Sequence, residues 1–113
     1  MLVMAFGIFT LVAAMGAGMA LEMFQGRSTE KGYALLHAGF ALAGSALVIV
    51  AALEGDTRLY ANIGMAVVII ALGATLSLKR AKGGAPKGLV LAHAGLAVAC
   101  YLLLAYNAFV PAA

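Results

Sequence analysis

The sequence predicts an all-α integral membrane protein, a bundle of four transmembrane helices built from two helical-hairpin repeats. Three observations predict it. The 113 residues are 65% hydrophobic and 10% charged, with a mean hydropathy of +1.10. A soluble domain carries about 25% charged residues. Four apolar stretches reach the roughly 20 residues needed to cross a bilayer. Finally, the second half of the chain resembles the first, so the chain reads as one transmembrane domain in which 1–56 is repeated by 57–113.

The spans are Leu2–Leu21, Tyr33–Leu53, Leu59–Leu78 and Leu89–Val110, and none contains Asp, Glu, Lys or Arg. The first resembles a secretory leader at Gly18-Met19-Ala20, but no basic residue precedes it and its apolar run exceeds a signal core; it is expected to be retained. The second and fourth begin behind Lys31 and Lys87. The third follows the short charged turn Glu54–Arg58. The connections Glu22–Gly32 and Lys79–Gly88 hold Arg27, Lys31, Lys79, Arg80, Lys82 and Lys87, whereas the middle one holds only Arg58. Short loops rich in Lys and Arg stay in the cytoplasm. The expected topology therefore has basic loops inside and both termini outside, in a bacterial inner membrane. The net charge of +3 comes from these loops and implies no nucleic-acid partner. Pro86 lies in a connection and Pro111 after the last span, where neither spoils a helix interior.

Fixed-period self-similarity is a sign of repeated architecture. The second and fourth spans match at an offset of 56 residues: Lys31/Lys87, Gly32/Gly88, Leu35/Leu91, His37/His93, Ala38/Ala94, Gly39/Gly95, Ala41/Ala97. The first and third match at 57, through Gly7/Gly64, Ala14/Ala71, Gly16/Gly73 and Ala17/Ala74. Two spans return the chain to its starting side, so the repeats share one orientation and predict a pseudo-two-fold axis along the membrane normal. Glycines within the spans, Gly16 and Gly73 among them, read as surfaces for close helix approach.

The chain's two histidines fall in the repeated segment. An ionisable side chain in a membrane helix is costly and marks a functional candidate. Each lies six residues past its lysine, roughly 9 Å deeper along the helix. His37 and His93 are thus expected at one depth on diagonal helices. One and two turns further on lie Ala41 and Gly44, and Ala97 and Cys100, all small. A slot of small side chains below two facing imidazoles suits a flat cofactor, and two imidazoles are an axial pair for haem b iron. Lys31 and Lys87, or Arg27 and Arg80, are candidates for its propionates.

The competing expectation is that the histidines only join helices, at about 0.6 kcal/mol per hydrogen bond. Duplication copies a histidine whether or not it binds anything. Proton or cation transport is disfavoured, because a path needs ionisable groups at graded depth. Cys100 reads as a packing residue, Asn62 as a cross-helix hydrogen-bonding group, and Glu54, Asp56 and Arg58 as a solvated turn. No catalytic motif is present, so independent enzyme activity is not expected.

From Leu59 to Phe109 the chain resembles a group of small bacterial inner-membrane proteins. The shared features are a basic loop with Pro-Lys, matched by Lys79–Lys87, and a helix of the form Leu-x-His-Ala-x-x-Ala, matched by Leu91–Ala97 and again by Leu35–Ala41. The resemblance implies four helices and paired histidines but no activity. Two functions follow as expectations. One is a small b-type cytochrome transferring electrons with a quinone or a larger redox partner. The other is a cofactor-free accessory subunit or homo-oligomer among membrane partners.

Overall fold

A computed structural model describes residues 1–84 and 86–113. It contains four α-helices of 23 residues each: α1 (Leu2–Phe24), α2 (Lys31–Leu53), α3 (Leu59–Ala81) and α4 (Lys87–Phe109). At 1.5 Å per residue each is about 35 Å long, enough for a hydrocarbon layer of about 30 Å. All four are apolar enough to cross a membrane. The helices overrun the apolar stretches: α1 continues to Phe24 and α3 to Ala81, while α2 and α4 start at their lysines. Hydropathy ends at the first charge, but backbone hydrogen bonding continues through it into the interfacial zone.

Each helix packs on its two neighbours in chain order, and α1 closes the ring on α4. α1 and α3 are diagonal, as are α2 and α4, and the α2–α3 seam is the sparsest. The bundle measures 47 × 21 × 19 Å. The three helices that lead into a connection end in the same device. The Arg27 N–H donates to Glu22 O, Asp56 to Ala51 O and Gly84 to Lys79 O, each around a glycine of positive φ: Gly26, Gly55 and Gly83. This double-bonded ending satisfies the last carbonyls and turns the chain back sharply.

The core lies toward the second connection. Ala5, Val48, Ala51, Ala52, Leu59 and Leu104 form it, with Phe9, Leu47 and Ile63 packed against them. Ala5 on α1 and Ala51 and Ala52 on α2 are small buried members of this core, which lets the two helices approach closely. Outward-facing Leu35, Leu53, Val67, Leu78 and Leu91 are exposed. Such a surface is unfavourable in water and suits a lipid bilayer. Within the spans, three hydroxyls bond back to their own helix: Thr10 donates to Phe6 O, Ser45 to Ala41 O and Thr75 to Ala71 O. Without water, this back-bonding removes the cost of an unpaired donor.

Candidate functional site

The histidines project from α2 and α4 onto the preceding helix of their own hairpins. A Cβ added at Gly16 of α1 would lie 3.1 Å from His37 Cε1, and one at Gly73 of α3 would lie 3.1 Å from His93 Cε1. Each imidazole therefore occupies space that any larger residue would close. The seats are at matching sequence positions.

The seats differ in hydrogen bonding. His93 Nδ1 lies 2.9 Å from Ile69 O. A carbonyl only accepts, so Nδ1 carries the proton, and a neutral ring keeps its lone pair on Nε2. His37 Nδ1 faces the Val12 carbonyl, whose position corresponds to Ile69, but completes no hydrogen bond and is buried. Next to this seat, the Tyr33 hydroxyl is 3.6 Å from where a Gly18 Cβ would be.

The small residues expected to line a slot have neighbours. Phe9 covers buried Gly44 so closely that a Cβ there would be 2.8 Å from the ring. The Asn62 amide donates to Cys100 O at 3.0 Å and lies 3.6 Å from Cys100 Sγ. Ala41 and Ala97 are half-buried. Lys87 Nζ sits 5.7 Å from the centre of the Phe24 ring, joining the start of α4 to the end of α1. Lys31 is exposed. The structure thus brings each histidine to a glycine, but ties Gly44 and Cys100 to α1 and α3.

A second polar cluster lies toward the opposite end. The Asn107 amide donates to Asn62 Oδ1 at 3.0 Å, with the residues 4% and 3% exposed. Sequence reasoning found Asn62 but not its partner. The available signal was antiparallel geometry: 62 and 107 are equidistant from the middle of the third connection. The Thr10 and Tyr101 hydroxyls are 2.8 Å apart, and Phe6 stacks on Tyr101 with centroids at 5.0 Å. These contacts join α1 to α4.

Arg58 is not simply solvated. It pairs with both Asp56 oxygens at 2.8 and 2.9 Å, and donates to Val110 O and Asn107 O at 2.8 and 3.1 Å. It thereby covers carbonyls at the end of α4, where a cation is favoured. The Arg58 guanidinium holds the Asp56 carboxyl below its ordinary range, and the pairing raises Arg58 in turn.

A scan of protein-family models and searches of curated proteins and solved structures give no match to this chain. The candidate site is therefore interpreted from its own geometry.

Proposed function

We propose that this chain is a small membrane haem protein of the b type, in which His37 and His93 would hold the iron. The observation that carries the reading is the matched histidine seats on diagonal helices. His93 donates Nδ1–H to Ile69 O, which orients the ring and leaves the Nε2 lone pair free, so that Nε2 would be the atom to hold the iron. Gly16 lets α1 approach α2, and Gly73 lets α3 approach α4, without side-chain bulk beside the rings. The buried, unbonded Nδ1 of His37 has the Val12 carbonyl available once its ring settles. A bound haem would supply one-electron transfer. The protein's own contribution is to orient two neutral imidazoles and exclude water, with Lys31 and Lys87 as candidate partners for acidic substituents. In this reading the basic connections face the cytoplasm of a bacterial inner membrane, the termini face outward, and a quinone or larger redox protein is the partner.

The test is an absorption spectrum of the purified protein, oxidised and reduced. The expected result is a Soret band that shifts on reduction and is lost in His37→Ala and in His93→Ala. Colourless protein after expression with ample haem supply would overturn the reading.

Specific contacts favour a second reading, a cofactor-free accessory subunit or homo-oligomer. Phe9 on Gly44 and Asn62 on Cys100 close both hairpins below the histidines. The histidines then act as helix locks, and the apolar outer surface meets lipid and partner helices. Colourless protein that brings stoichiometric membrane partners through a mild-detergent pull-down, or self-associates, would support this reading; a stable lone monomer would count against it.

A further inference from the structure

The first and third connections lie on one face of the bundle, as the Lys87–Phe24 contact shows, but their charge chemistry differs. The first is balanced: Arg27 and Lys31 are accompanied by Glu22 and Glu30. It is also internally satisfied, with Arg27 donating to Gln25 Oε1 at 2.6 Å and Thr29 to Glu22 Oε2 at 2.9 Å. The third has Lys79, Arg80, Lys82 and Lys87, and no acidic residue occurs anywhere from 59 to 113. Among the described residues, Arg58–Asp56 is the one ion pair, so none of these four cations has a carboxylate at salt-bridge distance.

Positive charge alone would orient the helices in the membrane and need have no particular shape. Here it borders a shallow, open hollow lined by Lys79, Lys82, Gly84 and Pro86. Lys79 lies in the last turn of α3, and Lys82 directly follows that helix. These positions are at the end of a membrane-spanning helix, the level of lipid headgroups. Gly84 and Pro86 add little side-chain bulk, so an approaching phosphate meets two ammonium groups with no competing carboxylate.

We propose that this concavity binds the headgroup of an anionic phospholipid in the adjoining leaflet. The acyl chains of such a lipid lie along the exposed apolar flank of the bundle, which includes Leu78 and Leu91. The phosphate pairs with Lys79 and Lys82. The proposal is independent of whether the histidines hold a cofactor.

The test uses the full chain in a neutral detergent, titrated with phosphatidylglycerol or phosphatidylcholine and followed by native mass spectrometry. Each lysine near an anionic lipid surface is worth about fivefold in affinity. Wild type is expected to retain phosphatidylglycerol in preference to phosphatidylcholine. The Lys79→Gln/Lys82→Gln double variant is expected to lose about tenfold or more in phosphatidylglycerol affinity, while Arg27→Gln/Lys31→Gln stays within about twofold of wild type. If the first double variant does not fold, Lys79→Gln and Lys82→Gln singly carry the test, each at about fivefold. Equal losses from the two connections would show a diffuse charge effect and overturn the site. Absence of lipid preference in wild type would do the same, as would displacement of the bound lipid by millimolar inorganic phosphate.

Discussion

The two hairpins share a sequence pattern, yet they hold their helices together differently at the end away from the histidines. In the first hairpin Ala5 of α1 and Ala51 of α2 are buried in the apolar core. At the corresponding offsets the second hairpin has Asn62 and Asn107, hydrogen-bonded to each other and, through Asn62, to Cys100 O. One hairpin depends on close packing of small side chains, the other on a buried amide pair. The next layer also diverges: Phe9 fills the space above Gly44 in the first hairpin, while Ala66 and Cys100 occupy the corresponding positions in the second. A large–small pairing has an intermediate counterpart across the repeat. The lesson is that two hairpins of similar sequence pattern are held together by different interactions.

The largest expected effect comes from breaking the amide pair on one side only. Asn62→Leu removes the acceptor for Asn107 and the donor to Cys100 O, and leaves the Asn107 amide buried without its partner. Such a group costs about 1–3 kcal/mol. The loss is expected as a lower unfolding midpoint when the protein is titrated with a denaturing detergent in micelles. The Asn62→Ala/Asn107→Ala double variant reproduces the first hairpin's chemistry, and should be more stable than the sum of its single variants predicts. Strict additivity would show that the two amides are not coupled.

The next largest effect is at the histidine seats. Gly16→Ala and Gly73→Ala each place a Cβ 3.1 Å from an imidazole carbon, so the ring must yield by a few tenths of an ångström. Overpacking of this kind costs about 1 kcal/mol or somewhat more. Gly73→Ala is expected to be the more harmful, because His93 is held by its bond to Ile69 O and His37 has no formed bond to lose. The same unfolding titration measures the difference. Equal losses would mean that the hydrogen bond does not restrain the ring.

Much of this architecture was legible in the chain. Four uninterrupted apolar runs require helices, because only helices and closed barrels satisfy the backbone in lipid. The matched Lys-to-His spacing put the histidines at corresponding positions. What each histidine touches was less legible. Helical periodicity identifies a face, but the glycine on the neighbouring helix that receives the ring depends on helix rotation and crossing angle. Gly44 illustrates this: its small size suggested room for a ligand, whereas on the bundle's surface of contact it receives Phe9. Arg58 was read as solvated because the local sequence shows only its neighbours Glu54 and Asp56. Its carbonyl partners at Asn107 and Val110 are distant in the chain and become adjacent only when the ring of helices closes.

A smaller effect separates the histidines directly. His37→Ala and His93→Ala both remove an imidazole from a glycine seat, so the packing loss is common to the two variants. Only His93→Ala also removes a formed hydrogen bond. In cofactor-free protein the second variant should be the less stable by about 0.6 kcal/mol, the average for such bonds in membranes. A reversed order would indicate that His37 also completes its bond to Val12 O in the membrane.

The smallest effect concerns the turn between the hairpins and depends on pH. Arg58 lowers the Asp56 carboxyl, so the folded state favours the carboxylate more than the unfolded chain does. Stability from this pair is fully present above the unfolded value, about 3.9 for an aspartate, and is lost as pH falls through the lower folded value. The side chains of Arg58 and Asp56 are 28% and 20% exposed, so solvent screening keeps the contribution small. Asp56→Asn should lower the unfolding midpoint slightly at neutral pH and flatten its fall below about pH 4, where the wild type loses the same contribution. Arg58→Gln should flatten it too, and should lower the midpoint further at neutral pH, because Arg58 additionally covers the Asn107 and Val110 carbonyls. If the two variants behave alike at neutral pH, then closure of α4 onto the turn contributes nothing measurable, and the hairpins are joined there by the core around Leu59 alone.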